Sequence, residues 1–100
     1  MKNFQSALQN SDITGNFHMG EDSVLDFSFN NYKFKNCKIT GGSFSCSKFY
    51  LCMFSDVIFK DVNLEFVDFN NCKFINVKFV NCQTEGLQMR NCKGKPEFEK

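Results

Sequence analysis

The sequence predicts an all-β protein whose chain winds into a coil of short strands. Two observations carry this. Large apolar residues recur at every fifth position through most of the chain, and turn-forming residues recur at the same interval, two places later. A helix repeats at 3.6 residues and a strand at 2, so a period of five is neither alone.

The period is read from Phe29 in steps of five. It runs through Phe34, Ile39, Phe44, Phe49, Phe54, Phe59, Leu64, Phe69, Phe74, Phe79, Thr84 and Met89, with Val24 before it. Nine of these fourteen positions are Phe and four are other hydrophobes. The chain holds fourteen Phe, so chance would place about three in one phase of five. Two residues before each centre lies a mostly slim side chain, among them Cys37, Gly42, Ser47, Cys52, Val57, Cys72 and Cys82. A polar residue separates the two, as Lys33, Lys48, Asn63 and Lys78 do. Slim-in, polar-out, large-in is strand alternation over three residues.

Asn, Asp or Gly occupies eleven of the fourteen slots two residues after the centres, including Asn31, Asn36, Gly41, Asp56, Asp61, Asn71 and Gly86. These residues accept left-handed backbone angles or cap their own turns. Each unit is therefore a short extended side followed by a corner. A chain with regular corners coils, and its inward side chains stack in columns, here at an interval of twenty residues.

Good copies of the unit are Cys72-Lys73-Phe74-Ile75-Asn76 and Val77-Lys78-Phe79-Val80-Asn81. They resemble the pentapeptide-repeat family, whose unit is a small residue, a polar residue, Leu or Phe, a polar residue, and often Gly or Asn. Ser11-Asp12-Ile13-Thr14-Gly15 is close to that family's ideal unit, one residue out of phase. Ser6 to Asn10 shares its phase, with Leu8 as centre. One extra residue near 16–21, read as a bulge, reconciles the two phases. The expectation is a single domain over 1–100 with repeats at about 6–96. The resemblance implies a right-handed quadrilateral β-helix of about four coils, each of four units.

Length and composition bound the function. One hundred residues make one small domain. A 42% hydrophobic content argues against disorder. Nothing reads as an export signal or a membrane span, so a cytoplasmic protein with reduced thiols and no membrane partner is expected.

Five of the six cysteines, Cys37, Cys52, Cys72, Cys82 and Cys92, fall in the slim inward slot, where Cys serves as a small buried hydrophobe. In-register neighbours have Cβ atoms about 4.8 Å apart, too far for an ordinary disulfide, and their spacing matches no zinc motif. Cys46 takes a corner slot and reads as the accessible thiol. His18, the one histidine, falls at a centre of the bulged unit or in a neighbouring outward place. No nucleophile–base pair, phosphate loop or metal constellation is evident, so no catalytic residue, cofactor or metal is expected.

On the outer surface, Lys33, Lys35, Lys73, Lys93 and Lys95 share one side, and Lys38, Lys60 and Lys78 the next. Glu65, Asp68 and Glu85 fall on the others, with Lys48 and Arg90. The lysine side reads as a solvated face; Asp56 and Asp61 at its corners and the lack of interleaved aromatics argue against a nucleic-acid partner. Tyr50, Leu51, Met53 and Phe66 are outward hydrophobes and form the candidate contact patch. No N-terminal helix is evident, Pro96 blocks pairing near the C-terminus, and Phe98 folds under the last coil. With weakly capped ends, an end-to-end homodimer is expected.

The function this supports is a non-enzymatic protein-binding or scaffold module whose partner is unknown. The alternative implied by the resemblance is a DNA mimic that regulates DNA gyrase or topoisomerase IV in quinolone resistance. Such mimics are long and strongly acidic, whereas this chain is short with a net charge of +1.

Overall fold

A computed structural model describes residues 4–20 and 23–100. Helix α1 (Phe4–Ala7) is followed by nine strands: β1 (Asp12–His18), β2 (Ser28–Asn30), β3 (Lys33–Thr40), β4 (Lys48–Tyr50), β5 (Met53–Lys60), β6 (Asp68–Asn70), β7 (Lys73–Val80), β8 (Gln88–Arg90) and β9 (Glu97–Glu99). All pairing is parallel. One sheet runs β1-β3-β5-β7-β9 and the other β2-β4-β6-β8, so each strand neighbours the strand one coil away. The result is a β-solenoid of about four coils.

Each coil has four corners, and the corner residues explain why. In one coil Asn31, Asn36, Gly41 and Cys46 all have φ between +50° and +65°. The next has Leu51, Asp56, Asp61 and Phe66, and the next Asn71, Asn76, Asn81 and Gly86. A left-handed residue reverses the pleat, so alternation restarts at each corner. Strand β3 shows this as two consecutive exposed residues, Lys35 and Asn36, inside its alternation. The wide sheet thus folds over one corner and covers two sides of the coil. The short sheet covers another side, and the bridges Ser43↔Asn63 and Asn63↔Gln83 hold the fourth. Asn76 Nδ2 donates to Asp56 Oδ1 at 2.7 Å and Asn81 Nδ2 to Asp61 Oδ1 at 2.6 Å, extending the coil-to-coil contact to the corner side chains.

The bore is filled by the five-residue centres. Phe29, Phe34, Ile39, Phe44, Phe49, Phe54, Phe59, Leu64, Phe69, Phe74 and Phe79 are all buried. Register places Phe34 on Phe54 on Phe74, and Phe29 on Phe49 on Phe69. Successive rings in these columns are stacked, with centroids 4.8 and 5.2 Å apart in the first and 4.4 and 4.9 Å in the second. Neighbouring columns meet edge to face, as Phe49 does with Phe54 at 5.5 Å. Met89 and Thr84 are only half-buried, because the last coil has fewer neighbours.

The first coil departs from the sequence reading. Ser6 to Asn10 is not a repeat: Phe4–Ala7 is helical and the chain turns through Asn10. Gln, Ser and Ala favour a helix more than an extended side, and no left-handed corner follows Leu8. The N-terminal end is therefore covered, with Phe4 buried edge-on against Phe17 and Phe44. The register shift in the β1–β3 ladder lies between Ile13 and Gly15, ahead of the expected 16–21, of which residue 21 lies outside the described residues. Ile13 faces Phe34 and Phe17 faces Ile39, so Phe17 takes the centre and His18 is exposed. Burying the ring of Phe17 in place of an imidazole fixes this choice.

The C-terminal end also differs. Pro96 is buried and does not stop pairing, because the ladder resumes at Glu97, with Phe98 opposite Phe79. Phe98 lies edge-on to Phe79 at 5.2 Å yet remains 56% exposed. Gly94 makes this closure feasible: it has φ +75°, and a Cβ there would lie 2.2 Å from the carbonyl oxygen of Phe74.

The packing predicts that Phe54→Ala, in mid-column, costs about 3–5 kcal/mol in urea denaturation. Phe98→Ala should cost under about 1 kcal/mol, since more than half of that side chain is already in water.

Candidate functional site

The candidate patch divides between two corners. Tyr50, Leu51 and Met53 lie around the corner where β4 leads into β5. Tyr50 and Leu51 are exposed and Met53 is half-buried. Phe66 is exposed too, but it occupies the last corner of the same coil, in the corner column before that of Leu51, with Asp68 and Asn70 of β6 between the two columns. The strip between the two is polar: Asp68 pairs with Lys48 across the ladder and forms an ion pair with Arg90. Phe66 groups instead with Leu25 and Cys46 of earlier coils, both exposed. Backbone N–H groups of Asp26, Cys46 and Phe66 each donate to the coil that follows, which aligns this edge. Nothing in the sequence marks Leu25, whose outward slot is ordinary, whereas Phe27 is a large residue in a slim slot and is partly exposed for that reason.

Backbone geometry sets these corners apart. Leu51 has φ +57° and Phe66 φ +59°. A bulky L-residue in this region is strained by roughly 1–2 kcal/mol. Leu51 stands in a column of asparagines, with Asn31 before it and Asn71 and Asn91 after. The Phe66 ring lies over Gly86, where an added Cβ would come within 2.4 Å of it. Exposed hydrophobes therefore stand where a turn residue would fold better.

The slim inward slot does more than fill space. Cys52 Sγ donates to the carbonyl of Phe29 at 3.4 Å, Cys72 to Phe49 at 3.2 Å, Cys82 to Phe59 at 3.3 Å and Cys92 to Phe69 at 3.4 Å. Cys37 donates to Ile13 at 3.0 Å. Ser47, the one buried polar residue described, donates to Val24 at 3.0 Å and accepts from the Phe27 N–H. Cys and Ser thus tie successive coils together, a role beyond that of the small hydrophobe expected. Burial pushes the Cys37 thiol up from its ordinary 9.0 to about 11, and raises Cys82 and Cys92. In the stacked pair, a hydrogen bond with Cys52 and then burial hold Cys72 up.

His18 Nδ1 lies 3.0 Å from Thr40 Oγ1, and that hydroxyl contacts the Phe17 carbonyl. The concavity over the short sheet is lined by Ser28, Lys48, Tyr50, Asp68 and Arg90, where the carboxylate is tied to Arg90. Among the described residues no cluster of three His, Cys, Asp or Glu is placed to hold a metal. No helix described is long and apolar enough to cross a membrane.

Replacing Leu51 by Asn removes the corner strain and completes the asparagine column. It should raise stability by about 1 kcal/mol in chemical denaturation. The thiols give a second prediction. Cys46 should react with a thiol reagent in the native protein at once, and Cys37, Cys52 and Cys72 only in denaturant. The unfolded Cys37 thiol ionises near pH 9 and the folded one near 11. Stability from this group is therefore complete below pH 9 and declines as pH rises towards 11. Melting temperatures measured across that window check the sign.

Comparison with known proteins agrees with this architecture. The family model described as pentapeptide repeats matches residues 58–93, in eight copies. No curated protein matches the sequence. One solved structure with similarity is a trypsin-treated variant of QnrB1, a plasmid-mediated fluoroquinolone resistance protein. It is 20% identical over 87% of this chain, with a TM-score of 0.40. This chain spans 50% of that one. The matched repeats begin midway through the coil of Leu51–Phe66 and run past Asn91, in a continuous solenoid whose corners recur at the same interval from Asp26 onward. The chain is a β-solenoid whose residues 58–93 match pentapeptide repeats.

Proposed function

We propose that the chain acts as one repeat domain, a non-enzymatic scaffold that binds a protein partner through its apolar corners. The observation that carries this reading is the exposure of Leu51 and Phe66 at left-handed positions. A fold that accepts strain to display an apolar side chain points to a use for that side chain. Tyr50 and the half-buried Met53 widen the Leu51 corner into a contact surface. The exposed Tyr50, Leu51 and Phe66 side chains offer apolar contact area, which suits binding.

A DNA mimic is the weaker reading. Standing in for a duplex calls for rows of carboxylates, whereas the widest sheet here carries lysines and the net charge is +1. End-to-end pairing of two copies is a second contact mode. It draws support from the difference between the ends: Phe4 covers the first, while Phe98 is exposed and Met89 half-buried at the other.

Immobilised protein should capture a defined polypeptide from a lysate of the source organism, identified by mass spectrometry. A variant with Tyr50→Glu and Leu51→Glu should lose it at unchanged melting temperature. Equal capture by that variant, or an unchanged yield with bare resin, removes the reading.

A further inference from the structure

Charge is sorted around this solenoid. Eight of the twelve basic residues lie on or beside the outer face of the wide sheet. Among the described residues, Lys78 alone of these makes an ion pair, with Glu99 at 3.7 Å. The two corner carboxylates on this side, Asp56 and Asp61, are engaged by Asn76 and Asn81. Lys73 and Lys93 bridge directly across neighbouring coils. Like charges opposed in a ladder are destabilising.

Apolar residues share the same outward columns. Met53 stands between Lys33 and Lys73, and Ile58 between Lys38 and Lys78. Along β5 and β7 three pairs of one cation and one apolar residue occur two apart. Lys73 is followed two residues later by Ile75, Ile58 by Lys60, and Lys78 by Val80. Residues two apart on a strand point to the same side, about 6.6–7 Å apart. The sheet therefore presents repeated pairs of one cation and one apolar side chain at the spacing of an extended peptide.

We propose that this face docks an extended protein segment bearing acidic and apolar residues in alternation along one side. The carboxylates would meet lysines left without partners, and the apolar side chains would meet Ile75, Ile58 and Val80. Phosphodiester backbone supplies the charge but has nothing for the apolar positions. Insertion into a lipid surface calls for protruding side chains, whereas Met53, Ile58 and Val80 are half-buried among the lysines. The face lies on other sides of the coil from Phe66, and at its edge it meets the Leu51 corner through Met53.

The probe is a fluorescein-labelled peptide of about twelve residues repeating Glu-Ser-Leu-Ser, which sets Glu and Leu two apart. Its control repeats Glu-Leu-Ser-Ser, with the same composition and the two on opposite sides. Anisotropy titrations should show the first binding at least about fivefold more tightly, and weakening about tenfold between roughly 50 and 300 mM salt. Lys73→Gln with Lys93→Gln should weaken it about tenfold, and Ile75→Ser severalfold. The double lysine variant should melt no lower than the parent, since a repulsion is removed. Absence of binding, equal affinity for both peptides, or equal affinity in the lysine variant overturns the proposal. Tighter binding to a DNA duplex or to anionic vesicles overturns it as well, and assigns the face to that class of partner.

Discussion

A left-handed residue at every fifth position governs this structure. Each such residue ends one short extended side and starts the next at an angle, and four of them close a coil. Once the coil length is fixed at twenty residues, parallel backbone pairing between coils follows, as does the stacking of identical phases. The ladder of Lys33 to Thr40 on Met53 to Lys60 on Lys73 to Val80 holds its register through a corner because the corner repeats in every coil. Asn, Asp and Gly reach these angles at little cost, which accounts for their frequency two residues beyond each centre.

The interior answers to the same constraint. A narrow square bore leaves room for one large side chain per side per coil, and the coil-to-coil register sets successive rings 4.4–5.2 Å apart. Parallel Phe columns result, with edge-to-face contacts between them. Slim residues beside the columns leave space for the backbone. Where they are Cys or Ser, they donate hydrogen bonds to carbonyls of the coil before. Two unusual features of the composition, abundant Phe and six Cys without disulfides, share this origin.

From Val24 onward the five-residue phase was legible, because backbone angle, burial and residue type all repeat together. Legibility failed where the period broke. Leu8 and Ile13 stand in one phase, yet only Ile13 enters a strand, since a helix near Phe4 closes the end of the bore. Periodicity cannot tell a capping turn from a poor repeat. Phe17 displaces His18 from the interior because the shift in register comes earlier than the spacing indicates. The contact patch was legible as outward slots but not as geometry. Phe66 parts from Tyr50 and Leu51 because one side of the coil, with its Asp68–Arg90 pair, stands between them. Thiol donation was invisible in the sequence, where Cys in a slim slot reads as apolar.

The surface divides as the interior repeats. Apolar residues at strained corners and lysine-apolar pairs on the wide sheet are departures from the turn-and-polar pattern that the coil alone requires. Both rest on the left-handed corners and the stacked columns, which solution NMR of the labelled protein measures together. Ring-to-ring NOEs from Phe34 to Phe54 and from Phe54 to Phe74, with scalar couplings that place φ near +57° at Leu51 and +59° at Phe66, are the expected result. Negative φ at both corners, or absence of the contacts between rings one coil apart, would contradict the account.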